Sequence, residues 1–348
     1  MSSKKRVCVV GHFGFGQDLL NGQTIKTKVI TAELEKRLGA DQVIKIDTHG
    51  GARALLRVVF QLISAMSQCR NLILFPAQNG VRVLVPILAV LNHVFHRGLL
   101  YVVIGGWLEE MLCGKRFLTQ QLKRFDGVYV ETTTMKRGLE KLGLSNIVIM
   151  PNCKDLRILD RSGLIYAQGE PYRLCTFSRV MREKGIEDAV GAVRAINAKY
   201  GRTVCKLDIF GKVEKPYAAA FEMMQARFDE STRYMGAVDF DASVETLKPY
   251  YMLLFPTKFY TEGIPGTIID AFSAGVPVLS AEWESCFDIM TPEVGITYEF
   301  GNEAALEQAL EYAVSHSDTV HAMKPACLAA AEQYTPGKAI EAILAHLM

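Results

Sequence analysis

The sequence contains no Cys-x-x-Cys pair. Its eight cysteines, at positions 8, 69, 113, 153, 175, 205, 286 and 327, stand singly, which argues against a zinc site or a dithiol redox pair and fits a reducing, cytoplasmic setting. It also lacks any run of the ~20 uninterrupted apolar residues that a spanning helix needs. Residues 81–104 are largely apolar but are broken by Arg82, Pro86, Asn92, His93, His96 and Arg97. In the segment 54–66, "ALLRVVFQLISAM", a polar stripe of Arg53, Arg57, Gln61, Ser64 and Gln68 recurs every three or four positions. Both segments read as helices packed on a sheet, with an interfacial membrane contact as the open alternative. The opening "MSSKKRVCVV" enters a strand with too short an apolar run for a signal peptide. No His/Cys/carboxylate cluster has metal-ligand spacing, and no Ser/His/Asp or Cys/His nucleophile arrangement is visible. His93 and His96 sit among apolar residues and read as packing or surface groups.

What is present is an ordinary globular composition, 49% apolar and 22% charged, in 348 residues, enough for two separate cores. The net charge of +2 hides an asymmetry. Residues 1–160 hold 22 Lys and Arg against 12 Asp and Glu, whereas 161–348 hold 17 against 25. A basic first half points to an anionic partner on that side only, whether a phosphorylated acceptor, an anionic membrane or nucleic acid.

Short β-branched runs alternate with segments of helical length. They are "RVCVV" (6–10), "QVIKID" (42–47), "NLILFP" (71–76), "LLYVVIG" (99–105), "GVYVE" (127–131) and "NIVIMP" (146–151). The pattern restarts with "YRLCTFS" (172–178), "CKLDIFG" (205–211), "RYMGAV" (233–238), "MLLFPT" (252–257) and "PVLSA" (277–281). Such alternation predicts parallel sheets covered by helices. Two doubly wound domains follow, joined near the punctuated stretch 160–173.

Two glycine-bearing loops carry the candidate chemistry. In "GHFGFGQDLLNGQTIKT" (11–27) the spacing of Gly11, Gly14 and Gly16 is G-x-x-G-x-G, not the dinucleotide fingerprint, and Asp47 lies too far on for its acidic partner. No G-K-[ST] follows either. What remains is a turn whose backbone N–H groups, with Gly22 near the start of the next helix, are able to meet an anion, or a purely structural turn. The stronger signal is "FPTKFYTEGIPGTIIDAFSAGVPVLSA" (255–281). Here a buried strand ends at Pro256, a loop presents Glu262 and Gly263, and a helix begins near Gly266 and Thr267. The N–H groups of Gly266, Thr267 and Ile268 are expected unpaired at a positive helix end suited to a diphosphate. Asp270 follows eight residues after Glu262. One acid for sugar hydroxyls, amides for phosphate and a second acid for a ribose diol make a constellation suited to a sugar nucleotide.

That stretch resembles the E-x7-E region of retaining glycosyltransferases of GT-B fold, particularly glycosyltransferase family 4. "CTFSRVMREKGIEDAVGAVRAI" (175–196) is similar to the segment in which Arg and Lys, five apart, bind the donor diphosphate, here Arg179 and Lys184. "LDIFGK" (207–212), which carries Gly211, and 234–257 resemble the strands and loops between, and "VIMPNCKD" (148–155) the end of the first domain. Two positions depart from the pattern. The second acid is Asp270 rather than Glu, and Gly263-Ile264-Pro265-Gly266 stands where Gly-Phe-Gly is usual, so Pro265 removes one N–H.

The resemblance implies an α/β protein of GT-B architecture, two Rossmann-like doubly wound domains facing each other across a cleft. Residues 1–165 would bind the acceptor and 166–330 the nucleotide-sugar, with 331–348 returning to the first domain. Glu262, Arg179 and Lys184 would be catalytic. Gly14, Gly16, Gly22, Gly211, Gly263, Ile264, Pro265, Gly266, Thr267, Ile268 and Asp270 would bind the donor, and Gly105, Gly106, Trp107 and Glu109 the acceptor. The implied partners are a UDP- or GDP-sugar and a glycan or lipid-diphosphate-linked acceptor; the charge of the basic half adds a peripheral contact with an anionic membrane, and no nucleic acid is expected. No metal or other cofactor is expected. The triplet Asp239-Phe240-Asp241 matches a metal-binding D-x-D of another glycosyltransferase fold, a match common by chance. An epimerase or hydrolase of the same fold, a non-catalytic nucleotide-sugar binder and an NAD oxidoreductase are the competing classes.

Overall fold

Each β-branched run in this chain is followed by a stretch long enough to cross back over a sheet, and this dictates parallel pairing. The computed structural model describes residues 4–16, 22–50 and 54–348. The chain divides into two compact units, Met1–Asp155 with Tyr334–Met348, and Leu156–Gln333. The sequence-based boundaries at 165 and 330 differ from these by up to ten residues. Leu159 N donates to Ser273 O at 2.8 Å, and Lys154 N to Tyr334 O at 3.0 Å, which assigns each connecting segment to its unit.

The first unit runs β1 (Lys5–Gly11), α1 (Gly22–Leu38), β2 (Val43–Asp47), α2 (Leu55–Gln68), β3 (Cys69–Leu74), α3 (Gln78–Phe95), β4 (Gly98–Val102), α4 (Leu108–Leu112), α5 (Arg116–Leu122), β5 (Gly127–Val130), α6 (Thr133–Lys141) and β6 (Ile147–Ile149). Its six strands are all parallel, in the order β2-β1-β3-β4-β5-β6. Every residue of β4 and β5 is buried, as a sheet covered on both faces requires. On one face α2, α3 and α5 pack Val58, Leu62, Val85, Leu88 and Leu118 against Leu72, Leu74 and Tyr101. On the other, α1 contributes Ile30 and Leu34 against Val7 and Val9.

The second unit runs β7 (Tyr172–Phe177), α7 (Ile186–Tyr200), β8 (Cys205–Phe210), α8 (Ala218–Gln225), β9 (Thr232–Gly236), α9 (Ser243–Leu247), β10 (Met252–Phe255), α10 (Gly266–Ser273), β11 (Val278–Ala281), β12 (Gly295–Tyr298), α11 (Glu303–Ser315) and α12 (Ser317–Ala331). Its order is β12-β11-β10-β7-β8-β9, again all parallel. Eleven strands coincide with the runs read from sequence. The twelfth, β12, was not anticipated; "GITY" is a four-residue, partly exposed edge strand. Local signals end the helices. Asn302 caps α11 by accepting from Ala305 N at 3.0 Å, and α7 stops at Gly201.

The chain then re-enters the first unit as α13 (Pro336–Leu344), capped by Thr335 with Pro336 at its first turn. Ile340 and Ile343 complete the core around Val7, Val9 and Ile30. Met348 N donates to Asn71 Oδ1 at 3.0 Å, and Asn71 Nδ2 donates to Met348 O at 3.2 Å. Among the described residues no helix is long and apolar enough to cross a membrane.

Candidate functional site

In an open parallel sheet the crevice for ligands lies beyond the strand C-termini where the strand order reverses. In the second unit that point falls between β7 and β10. The loops after these two strands carry Arg179, Lys184 and Glu262, so residues about 80 apart in sequence share one end of the sheet.

Close backbone approaches fix the two loops against each other. After β7 the chain makes a tight turn over Arg182–Lys184 and enters α7 through Gly185, at φ +67°. A Cβ on Gly185 would lie 1.8 Å from Pro256 O, so only glycine lets the first loop touch the second. Gly211, after β8, is similarly placed 1.7 Å (as a hypothetical Cβ) from Ser178 O. Its neighbour strand is pinned by Val180 N to Lys212 O at 2.9 Å and Glu214 N to Val180 O at 3.0 Å. Gly211 thus lets the backbone after β8 lie against Ser178.

Lys184 Nζ donates to Glu262 Oε1, with the two side chains only 12% and 17% exposed. Thr257 Oγ1 donates to the same carboxylate oxygen at 3.3 Å. The rings of Phe255 and Phe259 flank the ammonium at 5.5 Å and 5.1 Å, lowering its contact with water while attracting its charge. The sequence reading missed these two aromatics, although they bracket the "FPTKF" run. Arg179 is held less firmly. Its Nη1 meets Glu214 Oε1 at 3.3 Å, and the side chain is largely exposed.

The helix α10 starts at Gly266, where the glycine-rich run predicts it, with Pro265 in the cap position and no side-chain cap. Ile268 N, expected unpaired, instead donates to Pro265 O at 3.1 Å, because the first turn is wound tightly. The amides of Gly266 and Thr267 are left without intrahelical acceptors. Thr267 Oγ1 donates to Phe177 O, which ties the helix start to the end of β7. Gly263, Ile264 and Pro265 are buried and shape the loop. Asp270 lies about one turn into the helix and is 2% exposed.

The switch point of the first sheet lies between β1 and β3, and its loop is organised by a residue the spacing argument had set aside. Asp47, at the end of β2, accepts from Phe13 N and Phe15 N at 3.0 Å and from His49 N at 2.9 Å. Burial alone would raise its pKa, but the amides of Phe15, His49, Phe13 and Gly14 outweigh it and hold the carboxyl below its ordinary value. Amides expected to meet an anion are thus already engaged by a carboxylate. Gly14 and Gly16 take positive φ, +60° and +78°, and Gly22 opens α1; residues 17–21 of the same loop, like Arg53, lie outside the described residues. His12 Nδ1 is 2.7 Å from Thr24 Oγ1, and His49 Nδ1 is 3.0 Å from His12 Nε2. Burial and the neighbouring His49 push the His12 pKa down. No sequence signal singled out this pair.

In the loop after β4, Gly105 has φ +81°, and Trp107 Nε1 donates to Ile104 O at 2.6 Å in a self-contained turn with Gly106. The Glu109 carboxylate packs on α6 at Gly138, where a Cβ would come within 1.7 Å of Oε2. Asp239 and Asp241 lie at a short turn in the second unit, and among the described residues no three His, Cys, Asp or Glu side chains cluster as a metal site would require.

Residues 171–316 match the sequence model described as glycosyl transferases group 1. No curated protein matches the chain in sequence. Solved structures match in fold. HepE from Anabaena, in complex with UDP and glucose, aligns at TM-score 0.71 and 12% identity over 99% of this chain and 100% of its own. Sucrose-phosphate synthase from Thermosynechococcus elongatus aligns at 0.74 and 11% identity over 99% and 98%. A mutant of TarM from S. aureus, bound to fondaparinux, α-GlcNAc-glycerol and UDP, aligns at 0.64 and 14% identity over 84% of this chain and 58% of TarM. The chain thus has the two-sheet fold of the GT-B glycosyltransferases, and its second unit matches the sequence model of the glycosyl transferases group 1.

Proposed function

We propose that the protein moves a sugar from a nucleotide-sugar donor, UDP- or GDP-linked, to a glycan or lipid-diphosphate-linked saccharide. The transfer retains the anomeric configuration and serves polysaccharide or glycolipid assembly in the cytoplasm. The observation that carries the reading is the meeting of Lys184 and Glu262 beside the open start of α10, at the switch point of the second sheet. The group 1 sequence match across this region and the UDP held by HepE and TarM support the same class of reaction.

The barrier to such a transfer is separation of an oxocarbenium-like sugar from a departing diphosphate. Preorganised donors facing the departing charge are usually the largest catalytic contribution. Lys184, Arg179 and the Gly266 and Thr267 amides supply them. With no donor bound, Lys184 neutralises Glu262. A diphosphate draws the ammonium toward itself and frees the carboxylate to accept from sugar hydroxyls. Asp270 holds the ribose diol. Two cations and a helix terminus take the role a metal ion has in other transferases, so the proposal includes no cofactor. Gly14, Gly16 and Gly22 serve the donor, and Gly105, Gly106, Trp107 and Glu109 the acceptor.

The test is a labelled panel of UDP-, GDP- and ADP-sugars incubated with saccharide acceptors, the product's anomeric configuration being read by NMR. Transfer with retention is expected. An epimerised or hydrolysed donor, or an inverted product, would refute the mechanism. Failure of every nucleotide to raise the melting temperature would refute the donor site itself.

A further inference from the structure

Two helices of the first unit are apolar on the side that faces away from their own core. In α2 the buried residues are Val58, Leu62, Ala65 and Met66. At about 100° per residue, Leu56 and Phe60 point the opposite way, and they are 74% and 71% exposed. The same holds for α3, which buries Val81, Val85 and Leu88 and turns Val83, Val90 and Val94 outward, the last two 66% and 76% exposed. The polar stripe read from sequence, Arg57 to Gln68, is real but runs along a flank of α2 rather than along its outer face. Phe117, on α5, adds a third exposed apolar group, and α2, α3 and α5 all cover the same face of the sheet.

The apolar residues are bordered by cations. Between α3 and α5 lies a cavity of about 490 Å³ lined by Arg82, Pro86, Lys115, Arg116 and Phe117. Among the described residues neither Arg82 nor Arg116 has an acidic partner, and Lys115 Nζ donates to Met111 O at 2.7 Å. The sequence from 53 to 124 holds nine Lys and Arg against two Glu, most of the basic excess of the first half. Exposed valines and phenylalanines beside unpaired arginines complement one environment, the boundary between acyl chains and anionic headgroups. A soluble protein partner would have to be both apolar at its centre and acidic at its rim.

We propose that the α2–α3–α5 face docks on an anionic bilayer, with Phe60, Val90, Val94 and Phe117 entering the acyl boundary and the Arg82–Lys115–Arg116 pocket receiving a lipid phosphate. The proposal stands on this surface alone and is independent of the donor reading.

The test uses the full-length protein and flotation with two kinds of vesicle, phosphatidylcholine alone and phosphatidylcholine with phosphatidylglycerol. Binding is expected to the anionic vesicles only and to weaken with salt. Arg82→Gln with Arg116→Gln removes two cations and is expected to cut partitioning about thirtyfold. Phe60→Ser with Val94→Ser is expected to cut it about tenfold or more at unchanged salt dependence. All four side chains are exposed, so circular dichroism melts should match wild type. Equal binding to both vesicles, or no loss in either double variant, would overturn the proposal. So would light scattering showing a dimer that the Phe60→Ser, Val94→Ser variant dissociates, since the face would then be a contact between two copies.

Discussion

Replacing Gly185 by alanine tests whether the close approach of two loops builds the donor site. The new Cβ would sit 1.8 Å from Pro256 O, where real contacts stay beyond 3.0 Å, so the loops must part by on the order of 1 Å. Gly201, at the other end of α7, is the internal control. It has nearly the same backbone, φ +62° against +67°, but open space where its Cβ would go. Left-handed backbone costs an alanine about 1–2 kcal/mol at either position. Only Gly185→Ala adds the overpacking cost of about 1–3 kcal/mol. Urea unfolding should therefore show about 1–2 kcal/mol lost for Gly201→Ala and about 2–5 kcal/mol for Gly185→Ala. The displaced loop also carries Lys184 away from Glu262, so nucleotide-sugar turnover should fall far more in Gly185→Ala than in Gly201→Ala. Equal losses of stability in the two variants, with equal activities, would refute the reasoning.

Three further outcomes follow from the same geometry. Lys184→Ala should lower kcat/KM for the correct donor about 10²–10³-fold, as loss of one preorganised donor does elsewhere, and an unchanged value would sink its phosphate role. Asp270→Asn should weaken nucleotide affinity in calorimetry more than it lowers kcat; unaltered affinity would count against contact with the ribose. Because the His12 pKa is depressed on folding, the unfolded chain takes up a proton first on acidification, and stability is lost as pH falls below about 6.5. The drop in urea midpoint between about pH 7.5 and 5.5 should be smaller in His12→Gln than in wild type, and an identical drop would place the effect elsewhere.

The inner strands were legible because parallel strands buried on both faces must be continuous apolar runs. β12 escaped notice because its four residues, two of them only half-buried, make too short an apolar run to stand out. The start of α10 was legible because the glycines and Pro265, with its fixed φ and missing N–H, punctuate the chain just before an apolar run of helical length. What the sequence could not reveal was who already occupies whom. Asp47 appeared too distant for a cofactor acid, yet pairing of β2 beside β1 brings it directly to the Phe13 and Phe15 amides. In the same way Lys184 and Glu262 were marked separately, but only the neighbouring positions of β7 and β10 make them one ion pair. The outward apolar faces of α2 and α3 were hidden for a different reason. A helix with apolar residues on two sides reads as merely hydrophobic until its buried side is known.

The re-entry of α13 has a consequence for synthesis. The face formed by Val7, Val9, Ile30 and Leu34 is finished only when Ile340 and Ile343 arrive. Leu156–Gln333 must be translated in between, which takes roughly ten to forty seconds at ~5–20 residues per second. Throughout that interval the first unit carries an uncovered apolar face, whereas the second is complete as soon as residue 333 has been made. Nascent molecules are therefore most exposed to aggregation and chaperone capture through the part made first, and ribosomal pausing near residue 334 should lengthen that window.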